Sequence, residues 1–200
     1  MVSKVISATT IGLDAYKIEV EVDFVHSLPN ISIVGLPDTA VNEAKERVRS
    51  AIKNSGFTFP SLRVIVNLAP ADIKKEGTNF DLPIAIGILV QGGFMQEEKL
   101  KDIAFIGELS LDGTLRSVHG VLPLVYGLRE YGVKKVIVPL VNSKEAALVE
   151  DIQVFGAECL QDVVNHFSDN SDLKLEQTVV NIYDYLNINA KNEYIYDLKM

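Results

Sequence analysis

Cysteine is nearly missing from this chain: Cys159 is the one thiol in 200 residues. That excludes an internal disulfide framework and leaves too few thiolates for a structural zinc site, so Cys159 reads as a small buried hydrophobe. Tryptophan is absent, and the three histidines, His26, His119 and His166, lie far apart without the paired spacing of a metal site. No apolar run approaches the roughly 20 residues that cross a bilayer. The longest, Leu82 to Val90, is interrupted by Pro83 and Gly87. The N-terminus has no apolar core of signal-peptide length, and the expectation is a cytoplasmic protein. Positive charge is also in short supply: 19 Lys and Arg stand against 27 Asp and Glu, a formal net charge of -8. Affinity for nucleic acid rests on neutralising phosphates, so this balance argues against a dedicated nucleic-acid binder, although a local patch can override it. Phosphate-cradling loops are missing too. Neither Gly-x-x-x-x-Gly-Lys-Ser/Thr nor Gly-x-Gly-x-x-Gly occurs. The nearest approach, Gly127 to Gly132, has Val133 where the lysine must be and reads as a helix ending in a glycine cap.

What is present is a chain with 48% hydrophobic residues, enough for a sizeable core. Val5 to Ile11, Ala15 to Val25 and Ile31 to Gly35 alternate apolar and polar side chains, the period of half-buried strands, and read as a β-meander. Asp38 after Pro37 reads as an N-cap. Val41, Ala44, Val48, Ala51 and Ile52 then recur at helical spacing until Gly56, with Lys45, Arg49 and Lys53 on another side and Arg47 flanking. Leu62 to Leu68 predicts a strand, followed by a Pro70 to Gly77 loop and a nearly all-apolar helix from Asp81. Ile103 to Leu111 and Thr114 to Val118 flank Asp112-Gly113, a strong hairpin signal implying a two-residue primed turn. From Gly120 the pattern becomes helical (Val121 to Tyr131), then strand (Val136 to Val138), a helix opened by Asn142 with Glu145 in capping-box spacing, a strand (Gln153 to Phe155) and a helix (Leu160 to Phe167). The expectation is one α/β (α+β) domain over 1–167. Residues 168–200, with six acidic and three basic side chains, read as a linker. Val179, Val180, Ile182, Tyr183, Tyr185 and Tyr194 to Tyr196 form short apolar patches within it.

Four ordered blocks carry a resemblance. They are Gly35-Leu36-Pro37-Asp38, Asn67 to Asp72, Lys75-Glu76-Gly77 with Asp81 to Ala85, and Gly107-Glu108-Leu109 with Leu111-Asp112-Gly113. In these the chain resembles the N-terminal domain of the ComM/YifB magnesium-chelatase-like ATPases. That domain is similar in turn to the proteolytic domain of Lon, with the fold of ribosomal protein S5 domain 2. Lon-type peptidases use a serine in a Lys-Asp-Gly-Pro-Ser-Ala-Gly loop and a lysine base shortly after a Gly-Glu hairpin. The matching positions here are Asn79 and Leu122. An amide supplies no oxygen nucleophile and an aliphatic side chain accepts no proton, and Thr78 beside the lost nucleophile has no recognisable base.

The resemblance therefore implies a non-catalytic accessory domain of a hexameric AAA+ motor linked to DNA branch migration in natural transformation. Its ATP and Mg²⁺ would bind in an ATPase domain outside this chain, its partners would be that domain and neighbouring subunits, and no membrane is involved. Asn67, Asp72, Lys75, Gly77 and Asp81 are expected to structure the loop before the buried helix, with Asp81 capping it. Lys45, Arg47, Arg49, Lys53, Arg63 and Lys74 are either a face for DNA or another subunit, or plain solvated surface. A stand-alone S5-like nucleic-acid-binding module and a degenerate Ser-Lys peptidase are the alternatives. The first must contend with 16 basic against 21 acidic side chains before residue 168.

Overall fold

The long alternating runs at the start form the antiparallel pair β1 (Ser3–Ile11) and β2 (Asp14–Val25), with Ser3 opposite Val22 and Ile11 opposite Asp14, in a computed structural model that describes residues 2–12 and 14–181. The next strand, β3 (Ile31–Val34), is not beside β2. It leads through α1 (Thr39–Asn54) into β4 (Arg63–Ala69), which pairs antiparallel with β2 and parallel with β3, so β3 becomes the sheet edge. A parallel pair needs a crossover, and the helix between the two strands supplies it. α1 begins where Asp38 Oδ1 accepts the Val41 amide at 2.8 Å, and its buried residues are Val41, Ala44, Val48, Ala51 and Ile52.

α2 (Asp81–Gln91) is buried from Asp81 to Leu89. It lies so close to the sheet that a Cβ on Gly87 would come within 2.6 Å of Val22 Cγ2, while Ser3 Oγ donates to the Gly87 carbonyl at 2.9 Å. After a single 3₁₀ turn (Glu97–Leu100), the run expected as one strand from Ile103 to Leu111 divides at Ile106 and Gly107. β5 (Ile103–Phe105) joins the main sheet between β1 and β8 (Lys135–Pro139), whereas β6 (Glu108–Leu109) pairs with β7 (Leu115–Arg116) as a separate hairpin. The turn differs from the two-residue primed form expected. Ser110 accepts from Gly113 N at 3.0 Å and donates its amide to Thr114 O at 2.9 Å, and within the turn only Gly113 has positive φ, +92°. This is the three-residue loop of a type I turn followed by a left-handed glycine.

The second half is α/β. α3 (Val121–Glu130), β8, α4 (Leu140–Ala146), β9 (Gln153–Ala157) and α5 (Leu160–Phe167) follow in order, with β5, β8 and β9 mutually parallel. α4 starts two residues before Asn142, with no side-chain cap at Pro139. Asn142 is buried instead, accepting Val118 N at 2.9 Å and donating to Val118 O at 3.0 Å, and Glu145 accepts the Leu122 amide at 3.4 Å rather than closing a capping box. The reciprocal acidic cap appears at α5, where Asp162 Oδ2 takes the Cys159 amide at 3.1 Å.

The eight-stranded sheet runs β10-β9-β8-β5-β1-β2-β4-β3, where β10 is Gln177–Thr178. Side-chain alternation splits the core in two: Ile137 joins Val20, Val66, Phe105, Ile52, Leu82 and Val163 under α1, α2 and α5, while Val136 and Val138 join Ala8, Ile106, Leu124 and Val125 under α3 and α4. The rest of that second face, on β1, β2 and β4, is polar: Lys4 bonds Glu19 at 2.8 Å and Asn67 donates to Glu21 at 2.8 Å. Beyond Phe167 the chain does not leave at once. Residues 169–178 form a strap whose Leu175 packs on the first core and whose β10 pairs antiparallel with β9. Of the apolar patches expected in the tail, those from Ile182 to Tyr196 lie outside the described residues.

Candidate functional site

The loop from Pro70 to Phe80 is fixed by one carboxylate serving two elements. Asp38 Oδ1 caps α1, its Oδ2 accepts the Gly77 amide at 3.2 Å, and the Asp38 amide donates to Lys75 O at 3.0 Å while Lys75 N reaches Leu36 O at 3.1 Å. Gly77 has φ +89°, a conformation that favours glycine. Lys75 is fully buried, its ammonium donating to the Pro70 carbonyl, and burial pushes its pKa down. Asp72 is exposed, and Asn67 lies inside β4, bonded to Glu21 on the open sheet face and not to the loop.

At the end of the loop, Asn79 is buried, its Nδ2 donating to Ala8 O at 2.8 Å and its carbonyl accepting Gly107 N at 3.0 Å. Asp81 does not cap α2. Its carboxylate, 1% exposed, takes a bidentate grip from Arg47 at 2.6 and 3.0 Å and accepts the Leu109 amide at 3.1 Å. Burial pushes the Asp81 carboxyl up, and the guanidinium and the amide pull against that. This ion pair ties α1, α2 and the small hairpin together.

Between β1, the loop and the start of α3 lies a cleft of about 140 Å³, lined by Thr10, Thr78, Asn79, Val118, His119 and Leu124 among others. The nucleophile-equivalent Asn79 is in its wall. Leu122 is not: on the first turn of α3 it faces solvent, whereas Val121 and Leu124 are buried. The cleft is thus walled by hydroxyls, an amide, an imidazole, the Glu76 carboxylate and aliphatic groups. Thr10 was not singled out from the sequence and His119 reads there only as a dispersed histidine, because they reach the cleft from segments more than a hundred residues apart.

The six candidate basic residues are not all brought together on one face. Arg47 turns to Asp81, and Lys74 pairs with Glu76 at 2.6 Å. Arg63 alternates with the core-facing Val64 and so lies on the opposite side of the sheet from α1. Lys45, Arg49 and Lys53 remain as a stripe on α1, with Arg49 stacked 5.4 Å over the Phe59 ring. No described residues fit a nucleotide at Gly127 to Gly132: Gly127 is packed inside α3, where a Cβ would meet Ala15 Cβ at 2.4 Å. Among the described residues no group of three or more His, Cys, Asp or Glu is placed to hold a metal ion, and no helix is long and apolar enough to cross a membrane.

The family model for subunit ChlI of Mg-chelatase matches residues 20–142. The chain is 40% identical to the competence protein ComM of Haemophilus influenzae over 188 residues, 94% of this chain and 36% of that protein. It is 42% identical to the uncharacterized protein YifB of Escherichia coli over 153 residues, 76% of this chain and 30% of that protein. Lon protease 2 of Bacillus subtilis is 26% identical over 125 residues, 60% of this chain and 21% of that protein. The chain therefore spans about a third of the length of the ComM and YifB relatives it matches.

Proposed function

The chain belongs to the ComM/YifB family of magnesium-chelatase-like proteins, and on that premise we propose that it acts as the non-catalytic N-terminal accessory domain of an AAA+ ATPase. The observation that carries this reading is a Lon-like framework in which neither dyad position holds a reactive group. Asn79 sits in the cleft wall, tied to Ala8, and Leu122 faces outward. A carboxamide has no hydroxyl proton for a base to remove, and removing members of such a unit costs about a millionfold in turnover. What is kept is the scaffold: the Asp38-anchored loop, the Arg47–Asp81 pair and the buried α2. That is a rigid body suited to positioning and assembly. ATP and Mg²⁺ belong to a motor outside this chain, the partners are that motor and neighbouring subunits of a hexamer in the cytoplasm, and the process is DNA branch migration during natural transformation.

The test is to assay the 200-residue chain for hydrolysis of casein and fluorogenic peptides, and for DNA binding at rising salt. No hydrolysis and only weak DNA binding are expected. Hydrolysis abolished by Thr78→Ala would overturn the non-catalytic reading. Tight, steeply salt-dependent binding abolished by neutralising Lys45, Arg49 and Lys53 would instead favour a stand-alone nucleic-acid module.

A further inference from the structure

The strap is fastened to the domain by side-chain contacts of two kinds. Lys99 bonds the Asp169 carboxylate and the Phe167 carbonyl, and Lys174 Nζ donates to the carbonyls of Ser168 at 2.6 Å and Asn165 at 3.2 Å, at the end of α5. The remaining contact is of another kind: the Leu175 amide donates to His166 Nδ1 at 3.0 Å, two residues before Gln177 begins pairing with Phe155. The imidazole is wedged between Phe155 and Phe167, with ring centroids 5.3 and 4.9 Å away. A half-turn of the ring would keep both ring contacts but present Cδ2, which accepts no hydrogen bond, to the Leu175 amide. A nitrogen that accepts carries no proton, so this geometry requires the neutral ring protonated on Nε2.

We propose that His166 is a proton-operated latch for the strap 169–178: the neutral ring seats Leu175 and lets β10 pair with β9, and a proton on Nδ1 sets donor against donor and frees the strap. The proton comes from water, and the step breaks one hydrogen bond without any covalent change. The surroundings favour this direction. β9 and α5 present the rings of Phe155 and Phe167, the strap presents the Lys174 ammonium, and β8 presents Lys135. Burial first, and then the two lysines, hold the His166 pKa below the ordinary histidine value. With the strap open the ring is solvated and returns toward about 6.5. The latched state therefore binds protons less readily than the open one. It is fully favoured above that ordinary value and weakens as pH falls toward the lowered one. Within that window each pH unit shifts the closed-to-open ratio by up to about tenfold.

The experiment is an NMR titration of the ¹⁵N-labelled 200-residue chain from pH 8 to pH 5, following the His166 ring and the exchange protection of the Leu175 and Thr178 amides, referenced to Val20 in β2. His166 should titrate below an ordinary histidine, and strap protection should fall with the same midpoint while Val20 stays protected. His166→Phe keeps an aromatic ring and removes the acceptor, so its strap should be open at every pH. Lys135→Ala removes a repelling cation, and the midpoint should rise. Strap protection that stays flat across the range would overturn the proposal. So would His166→Phe retaining the parent's pH dependence with Val20 protected. Should His166→Phe fail to fold, the parent titration and the Lys135→Ala midpoint decide the matter alone.

Discussion

A buried carboxylate 34 positions away from its guanidinium partner is invisible to local reading, and Asp81 with Arg47 shows why. Periodicity placed Arg47 beside the apolar stripe of α1 and Asp81 at the start of α2, where the default roles are solvated cation and helix cap. Only the packing of α1 on α2 brings them to 2.6 Å, and the Leu109 amide completes the set. Removing one member of a buried pair strands the other charge and is costlier than removing both. Asp81→Asn should therefore destabilise the domain by about 3 kcal/mol in denaturant unfolding, the low end of the usual range, because Arg47 keeps one side toward water. Arg47→Met combined with Asp81→Asn should cost less than the sum of the two single changes. A single change within experimental error of the parent would mean the pair does not fasten the three elements. Asn142 makes the same point in neutral form: its spacing from Glu145 imitates a cap, but its amide is occupied by both backbone groups of Val118.

At the scale of the element, residues with one dominant local signal were readable. Asp38 caps α1, the five apolar positions of that helix are the buried ones, and α2 is a buried helix from Asp81, because burial and capping are written in spacing. What spacing does not contain is where a strand stops pairing. The Ile103 to Leu111 run is mostly apolar, with only Glu108 and Ser110 polar, yet Gly107 sits where a Cβ would come within 2.9 Å of Leu115 Cδ2, and there the chain leaves the sheet to build the hairpin. The turn of that hairpin gives a sharp test. Gly113→Val would force a β-branched residue to φ +92° and bring its Cβ within 2.2 Å of Ser55 Oγ. Strain at such a position costs about 1 to 3 kcal/mol, and the midpoint of thermal unfolding should drop accordingly. Gly87→Ala poses a contest of opposite signs. Alanine favours a helix by about 1 kcal/mol over glycine, but the added methyl would stand 2.6 Å from a fully buried Val22. Overpacking costs about 1 to 3 kcal/mol, so the variant should lose stability, and a gain would show that α2 can lift off the sheet.

Over the whole molecule, the two-faced α/β arrangement was legible because helical and strand periods alternate cleanly after Gly120, whereas the pairing of Asn67 with Glu21 on the polar face of β2 and β4 was not, since Asn67 reads from the sequence as part of the loop. The end of the domain was not. Ser168 to Glu176 has the composition of a linker, and nothing local reveals that Leu175 meets a histidine acceptor or that two residues will complete a sheet edge. A chain ending at Phe167 would lose β10, the Lys99–Asp169 contact and the cover over Phe155. It should melt several degrees below one ending at Asn181, since a loss of about 1 to 2 kcal/mol moves a domain of this size by that much. Equal melting temperatures would place the domain boundary back at Phe167.

The position of β1 in the sheet order has a consequence for how the protein is made. The first strand of this sequence ends up at the centre, flanked by β2 on one side and by β5, from Ile103 onward, on the other. Through the synthesis of some eighty residues after the first hairpin, one edge of β1 waits without its partner, and β8 and β9 are added only later. Such a strand is a template for wrong pairings while it waits. The cleft walls at Thr10, Thr78 and His119 are likewise strangers until the last of them is translated, so the cleft closes only when chain more than a hundred residues apart has come together.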